Sequence, residues 1–251
     1  MADRPGHRQG DRQQLGPGRA RLVEMVVQCR RYPQARLLTQ LRREAPMAAP
    51  RRKPATPKTA TASPSADAIL DRALTLADGA GWDALSLSAL AADLGLPPAD
   101  LARHFRDKDA LANAWFARAR DAMLAAPPRG FARQPVRDRL NILLLRWFDA
   151  LAPHRAVTAQ MLAGKLWPFH PHHYVPMVFD LSRLIQWLRD AAGMGAMGRR
   201  RQIEEIGLTL LFLAVLRRWC RDESRGQAET KAYLAARLAR ADALAARWFR
   251  G

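Results

Sequence analysis

Arg103, His104 and Lys108 are the residues most suited to recognition chemistry in this chain, with Ser86 a short distance before them. Cations, an imidazole and a hydroxyl so arranged can donate to phosphate oxygens and base edges, the groups by which proteins hold duplex DNA. Other combinations are weaker. His170, His172 and His173 follow Trp167-Pro168-Phe169, but a proline breaks the run and no acidic or cysteine ligand is close, so it reads as a surface loop rather than a metal site. Gly193-Met-Gly-Ala-Met-Gly198 has no strand before it and reads as a flexible connection, not a phosphate loop. No spacing ties a nucleophile to a base, so the chain reads as a non-enzyme with no cofactor. Two cysteines, Cys29 and Cys220, are too few for a disulfide scaffold and fit a reduced, cytoplasmic setting.

The elements that position the cations are legible from Gly81 to Leu111. Ser86 or Ser88 can cap a short helix, Ala89–Leu94, that stops at Gly95, and Pro97-Pro98 starts a second, where a first-turn proline loses no needed hydrogen bond. Leu87, Leu90, Ala91, Leu94, Leu96, Leu101 and Phe105 can share one small core. That arrangement leaves Pro98, Ala99, Ala102 and Arg103 outward on the second helix, as a helix-turn-helix requires of the helix that reads DNA. The candidate contact set is therefore Ser86, Pro98, Ala99, Asp100, Arg103, His104 and Lys108. A second reading of the same block is a helix-turn-helix kept for packing alone.

The whole chain is helical in pattern. Ile69, Leu70, Ala73, Leu74 and Ala77 recur at helical spacing before Gly79-Ala-Gly81, and Asp107 caps a helix from Lys108 to Ala125 that ends before Pro127-Pro128. Four amphipathic stretches follow, at Val136–Ala152, Tyr174–Ala192, Arg199–Arg221 and Glu229–Trp248, and no alternating strand pattern competes. The expected fold is all-α, with residues 66–126 as a helix-turn-helix unit and 127–251 as a helical bundle. The apolar run Leu208–Leu216 is closed by Arg217 and Arg218 and is too short to span a bilayer.

The 251 residues carry a formal charge of +18, distributed unevenly. Residues 1–58 hold fourteen basic and four acidic side chains, a balance of +10; residues 67–126 hold six and nine, or −3; residues 127–251 hold twenty-one and ten, or +11. The Gly-, Pro-, Gln- and Arg-rich leader, 1–65, reads as disordered, and Met47 is a candidate initiator. The basic run Arg51-Arg52-Lys53 to Lys58 suits a minor-groove arm or a solubilising tail. Met161, Leu162, Leu166, Trp167, Phe169, Met177, Phe179, Leu184 and Trp187 suit either a ligand pocket or plain core.

Gly81-Trp82, Ser86, Leu90-Ala91, Gly95-Leu96, Leu101, His104-Phe105, Lys108 and Leu111 fall at the intervals of the TetR family of bacterial transcriptional regulators, which residues 66–125 resemble. Departures from the family pattern are Pro97 at the capping position, Asp100 before Leu101, and Ala102 where tyrosine is expected. The resemblance implies a homodimer on a double-stranded DNA operator, with the second helix in the major groove and Lys108 on phosphate. It further implies a C-terminal pocket for a small apolar effector, for which Met161, Leu166, Trp167, Phe169, Met177, Phe179 and Trp187 are candidates. Pairing of subunits would use the last two helices, whose apolar faces include Ile203, Ile206, Gly207 and Leu210 and, further on, Tyr233, Leu234 and Leu238, although both faces suit intramolecular core as well. The C-terminal half also resembles, diffusely, the TetR-fold lipid-binding accessory protein of ubiquinone biosynthesis. That resemblance implies the alternative of a vestigial helix-turn-helix with lipid or membrane-surface contact.

Overall fold

In the computed structural model, Ser65 opens the first helix, α1 (Ala66–Ala80), its hydroxyl accepting the Ala68 N–H at 3.2 Å. Ile69, Leu70, Ala73, Leu74 and Ala77 form its buried stripe, and Gly81 ends it at φ 88°. The structure describes residues 64–165 and 171–249, with the side chains of 171–176 and 248–249 left out. The leader's expected disorder, Met47, Cys29, the run Arg51–Lys58, His170 and the side chains of His172 and His173 lie outside the described residues; the backbone of residues 171–173, expected in a loop, is instead the start of a helix.

Helices α2 (Leu87–Asp93), α3 (Pro98–His104) and α4 (Lys108–Leu124) follow, the last capped by Asp107, whose carboxylate accepts the Ala110 N–H at 2.7 Å. A 3-10 turn at Phe131–Arg133 leads into α5 (Val136–Leu151), and a second at Ala152–His154 leads into α6 (Arg155–Lys165). Then come α7 (Pro171–Ala191), α8 (Gly198–Trp219), a third 3-10 turn at Arg225–Gln227, and α9 (Ala228–Phe249). The described residues thus hold nine α-helices and no strand, and the all-α expectation holds. Among them no helix is long and apolar enough to cross a membrane.

One continuous apolar cluster runs from Ile69 to Leu238. Helix α4 belongs to both ends of it, packing against α1 on one side and most extensively against α5 on the other. At the bundle's centre Trp147 meets Phe148 edge-on at 5.1 Å and Phe212 at 5.0 Å, while Phe148 approaches Trp219 at 5.6 Å. Such pairs add about 0.5–1.5 kcal/mol each beyond the area they bury.

Helix α6 has no counterpart among the stretches predicted from periodicity. Its buried side is Val157, Thr158, Ala159, Met161 and Lys165, so hydroxyl and ammonium groups interrupt the apolar stripe by which a helix announces itself. Both are satisfied by tertiary partners. Thr158 accepts the Trp115 indole N–H at 2.9 Å, and Lys165 donates to Asp109 and Asn113 at 3.0 and 2.9 Å.

Candidate nucleic-acid interface and adjoining cavity

The turn between α2 and α3 is built by one glycine. The Leu96 N–H bonds back to the Ala91 carbonyl at 2.8 Å and the Gly95 N–H to that of Ala92 at 3.1 Å, the paired bonds of a Schellman ending. Gly95 takes φ +65°, which an L side chain adopts only at a cost. Leu90, Ala91, Leu101 and Phe105 are buried beneath the two helices, with Leu87, Leu94 and Leu96 packed partly against them. The seven apolar residues expected to share a core do so.

On α3 the same geometry leaves Pro98, Ala99, Ala102, Arg103 and His104 exposed, while Leu101 on the opposite side is 2% exposed. Pro97 supplies no side-chain cap, but its carbonyl accepts the Asp100 and Leu101 N–H groups at 3.0 and 3.3 Å. Asp100 and Arg103 form an ion pair one turn apart at 2.6 Å, with the arginine 76% exposed. Exposed pairs of this kind contribute about 0–1 kcal/mol, so a phosphate or base edge can readily take the guanidinium from Asp100. Ser86 is occupied as a cap, its hydroxyl accepting the Ala89 N–H at 3.1 Å.

Lys108 lies apart from this face. Its ammonium donates to the Trp82 carbonyl at 2.6 Å and the Asp83 carbonyl at 3.3 Å, and lies over the Trp82 ring at 5.1 Å from the centroid. Partial burial pushes its pKa down, against a smaller upward pull from Asp83. With three donors on an ammonium, one N–H remains beyond these two bonds. The Trp82 N–H in turn donates to the Gln160 side-chain oxygen at 2.6 Å, so one tryptophan is held by α4 and by α6.

Further ties orient the helix-turn-helix on its support. Arg72 of α1 grips Asp93 of α2 through two nitrogens at 2.5 and 2.7 Å, and the pairing draws the aspartate pKa down and the arginine pKa up. Arg118 of α4 reaches Asp67 and Asp71 of α1 at 2.9 and 2.5 Å. His154 meets Asp78 at 2.6 Å, joining the end of α1 to the turn before α6. The negative balance of residues 67–126 is thus largely spent on ordering their own helices.

A cavity of about 380 Å³ opens between α4, α5, α6, α7 and α8. Phe116, Trp147, Leu162, Leu184 and Phe212 are among its apolar walls, and Asn113, Arg120, Lys165, Asp180 and Arg183 are its polar ones. Of the seven residues predicted around a pocket, Met177 lines this cavity. Met161 is 2% exposed in the core and is not in the lining, while Phe179 and Trp187 stand 59% and 52% exposed on α7. Helical phase explains Phe179, which lies nearly opposite the inward stripe 177, 181, 184 and 188; Trp187 is in phase with Asp180 and Arg183 but lies a turn further along α7, beyond the lining. Leu166, Trp167 and Phe169 lie outside the described residues. Sequence reasoning missed Asn113, Trp147, Lys165 and Phe212; the signal for Lys165 was a lysine in phase with Val157 and Met161. Among the described residues no three potential metal ligands converge.

The family described as bacterial regulatory proteins, tetR family, matches residues 69–115, the stretch that contains the helix-turn-helix. No curated protein matches the chain. A TetR transcriptional regulator from Nitrosomonas europaea has a solved structure that is 38% identical, covering 70% of this chain and 97% of its own, with a TM-score of 0.64. A TetR transcriptional regulator from Rhodococcus sp. RHA1 shares the fold at 18% identity and a TM-score of 0.52, covering 68% of this chain and 91% of its own. The motif geometry and a 38% identical relative matched over nearly its entire length place this chain in the TetR family of bacterial regulatory proteins.

Proposed function

We propose that the chain is a DNA-binding transcriptional regulator whose helix α3 enters the major groove of an operator. The observation that carries this reading is the two-sidedness of α3. Leu101 locks the helix to the core, while Pro98, Ala99, Ala102, Arg103 and His104 are exposed together on the side away from it. Arg103 and His104 would donate to base edges or phosphates, and the remaining Lys108 N–H to a phosphate. Residues 66–126 would read DNA, and residues 127–251 would sense an apolar effector in the cavity lined by Met177, Leu184 and Phe212.

Two half-sites need two copies of the reading helix, related by a two-fold axis. Ile203, Ile206 and Leu210 on α8 are 56%, 61% and 63% exposed along a single face, which supports pairing of this helix with a second copy, whereas Leu234 and Leu238 of α9 are buried in the chain's own core.

A gel shift against the gene's own upstream DNA tests the reading. Wild type should bind with strong salt dependence, and Arg103→Ala should weaken binding about tenfold or more with the helical content unchanged. Absence of salt-sensitive binding, together with co-sedimentation on anionic vesicles, would instead favour the lipid-binding accessory role.

A further inference from the structure

The cavity is apolar in its walls and unbalanced in its charge. Arg120, Lys165 and Arg183 line it against a single carboxylate, Asp180. The two arginines are spoken for near the surface, Arg183 by Asp180 at 2.7 Å and Arg120 by Asp121 at 2.9 Å, with side chains 69% and 43% exposed. Lys165 differs from both. Its side chain is 9% exposed, and the partner that neutralises it, Asp109 at 3.0 Å, is 32% exposed and is not in the lining. A buried ammonium needs an anion beside it, because its charge is poorly solvated there. It does not need that particular anion, and Asp109 retains enough access to solvent to be rehydrated if displaced.

We infer that the cavity takes a mostly apolar ligand bearing one anionic group, a carboxylate or sulfonate, that Lys165 receives this group, and that it does so in place of Asp109. This rests on reading the cavity as the effector site. The aromatic walls Phe116, Trp147 and Phe212 accept the apolar body, and the Asn113 amide, which accepts from Lys165 at 2.9 Å, keeps the ammonium at the wall during the exchange. Asp109 sits in the first turn of α4, next to Lys108 and its bonds to Trp82 and Asp83. Displacing Asp109 therefore removes one of the ties between α6 and the helix that carries the reading unit.

Two fluorescent probes differing by one sulfonate, anilinonaphthalene sulfonate and phenylnaphthylamine, test the inference on the full chain without DNA. The sulfonate should bind at least about tenfold tighter than the neutral probe. Lys165→Met should bring the two affinities to within about twofold, and Lys165→Arg should retain the preference. Arg129→Met, which removes the same charge from an exposed turn, should leave the ratio as in wild type. Asp109→Asn should tighten the sulfonate by about threefold or more, because the competitor is gone. Equal affinities in wild type, binding of neither probe, a preference that survives Lys165→Met, or weaker sulfonate binding by Asp109→Asn would each overturn it. The operator gel shift is a separate measurement, so failure here and failure of DNA binding are told apart.

Discussion

The Lys108 ammonium donates to the Trp82 carbonyl at 2.6 Å and lies 5.1 Å from the centroid of the same residue's ring. A single side chain thus holds both the backbone and the indole of the residue that follows α1, and Gln160 holds the N–H of that residue from α6. The first turn of α4 is thereby fixed relative to α1 and α6, and α3 is fixed with it through the short link between His104 and Lys108.

Lys108→Met should cost about 1–3 kcal/mol of folding stability, since the Trp82 carbonyl loses a charge-assisted bond where water has limited access. Urea denaturation measures it. Arg103→Ala, whose side chain is 76% exposed, should leave stability within about 0.5 kcal/mol of wild type, so the two variants separate bracing from recognition.

Gly95→Ala meets no atom within 4 Å of the added carbon, so its effect is confined to the backbone at φ +65°. It should destabilise by about 1–2 kcal/mol, the cost of placing an L residue in the left-handed region. Gly207→Ala also meets open space, on the exposed side of α8, but at a helical position. It should raise the helical preference of α8 by about 1 kcal/mol, unless a partner helix approaches closely there. Denaturation of each variant, paired with sedimentation for Gly207→Ala, measures both effects.

Asp222 is buried between α8 and α9 and accepts from the Ser224 and Thr230 N–H groups at 2.8 Å each and from both hydroxyls. Burial works to raise its pKa, but these four donors outweigh it and hold the group at about 2, below the ordinary 3.8. A depressed carboxylate adds stability that is present above about pH 4 and is lost as pH falls through the folded-state value, here between about 4 and 2. The shift is worth about 2 kcal/mol. Asp222→Asn should lose that amount at neutral pH and flatten the acid limb of the stability profile, read by denaturation at stepped pH.

Ile206→Glu or Leu210→Glu places a charge on the exposed α8 face without disturbing the monomer core, because the wild-type side chains are already 61% and 63% exposed. Analytical ultracentrifugation should find these variants monomeric at concentrations where wild type is dimeric, with helical content unchanged. A wild type that sediments as a monomer at tens of micromolar would contradict the pairing.

What the sequence determined by itself is what depends on near neighbours along the chain. Helical periodicity, a serine cap at 86 or 88, the Asp107 cap, the stop at Gly95 and the buried positions of the helix-turn-helix all follow from contacts a few residues apart, which is why α1 to α4 and the all-α fold were legible. Only the tertiary structure decided which polar groups face one another across long separations. Lys108 looked like a free phosphate donor until Trp82 and Asp83, more than twenty residues away, were seen beneath it. Helix α6 escaped notice because Thr158 and Lys165 break its apolar stripe, and their partners Trp115, Asp109 and Asn113 lie on α4. Helical phase on α7 turned Met177 into the cavity and Phe179 away from it, a choice made by the neighbours the helix packs against rather than by either side chain's hydrophobicity. Burial energies reward apolar residues wherever they lie, but a buried charge or hydroxyl is tolerated only opposite a specific partner, and that pairing is fixed by the folded chain.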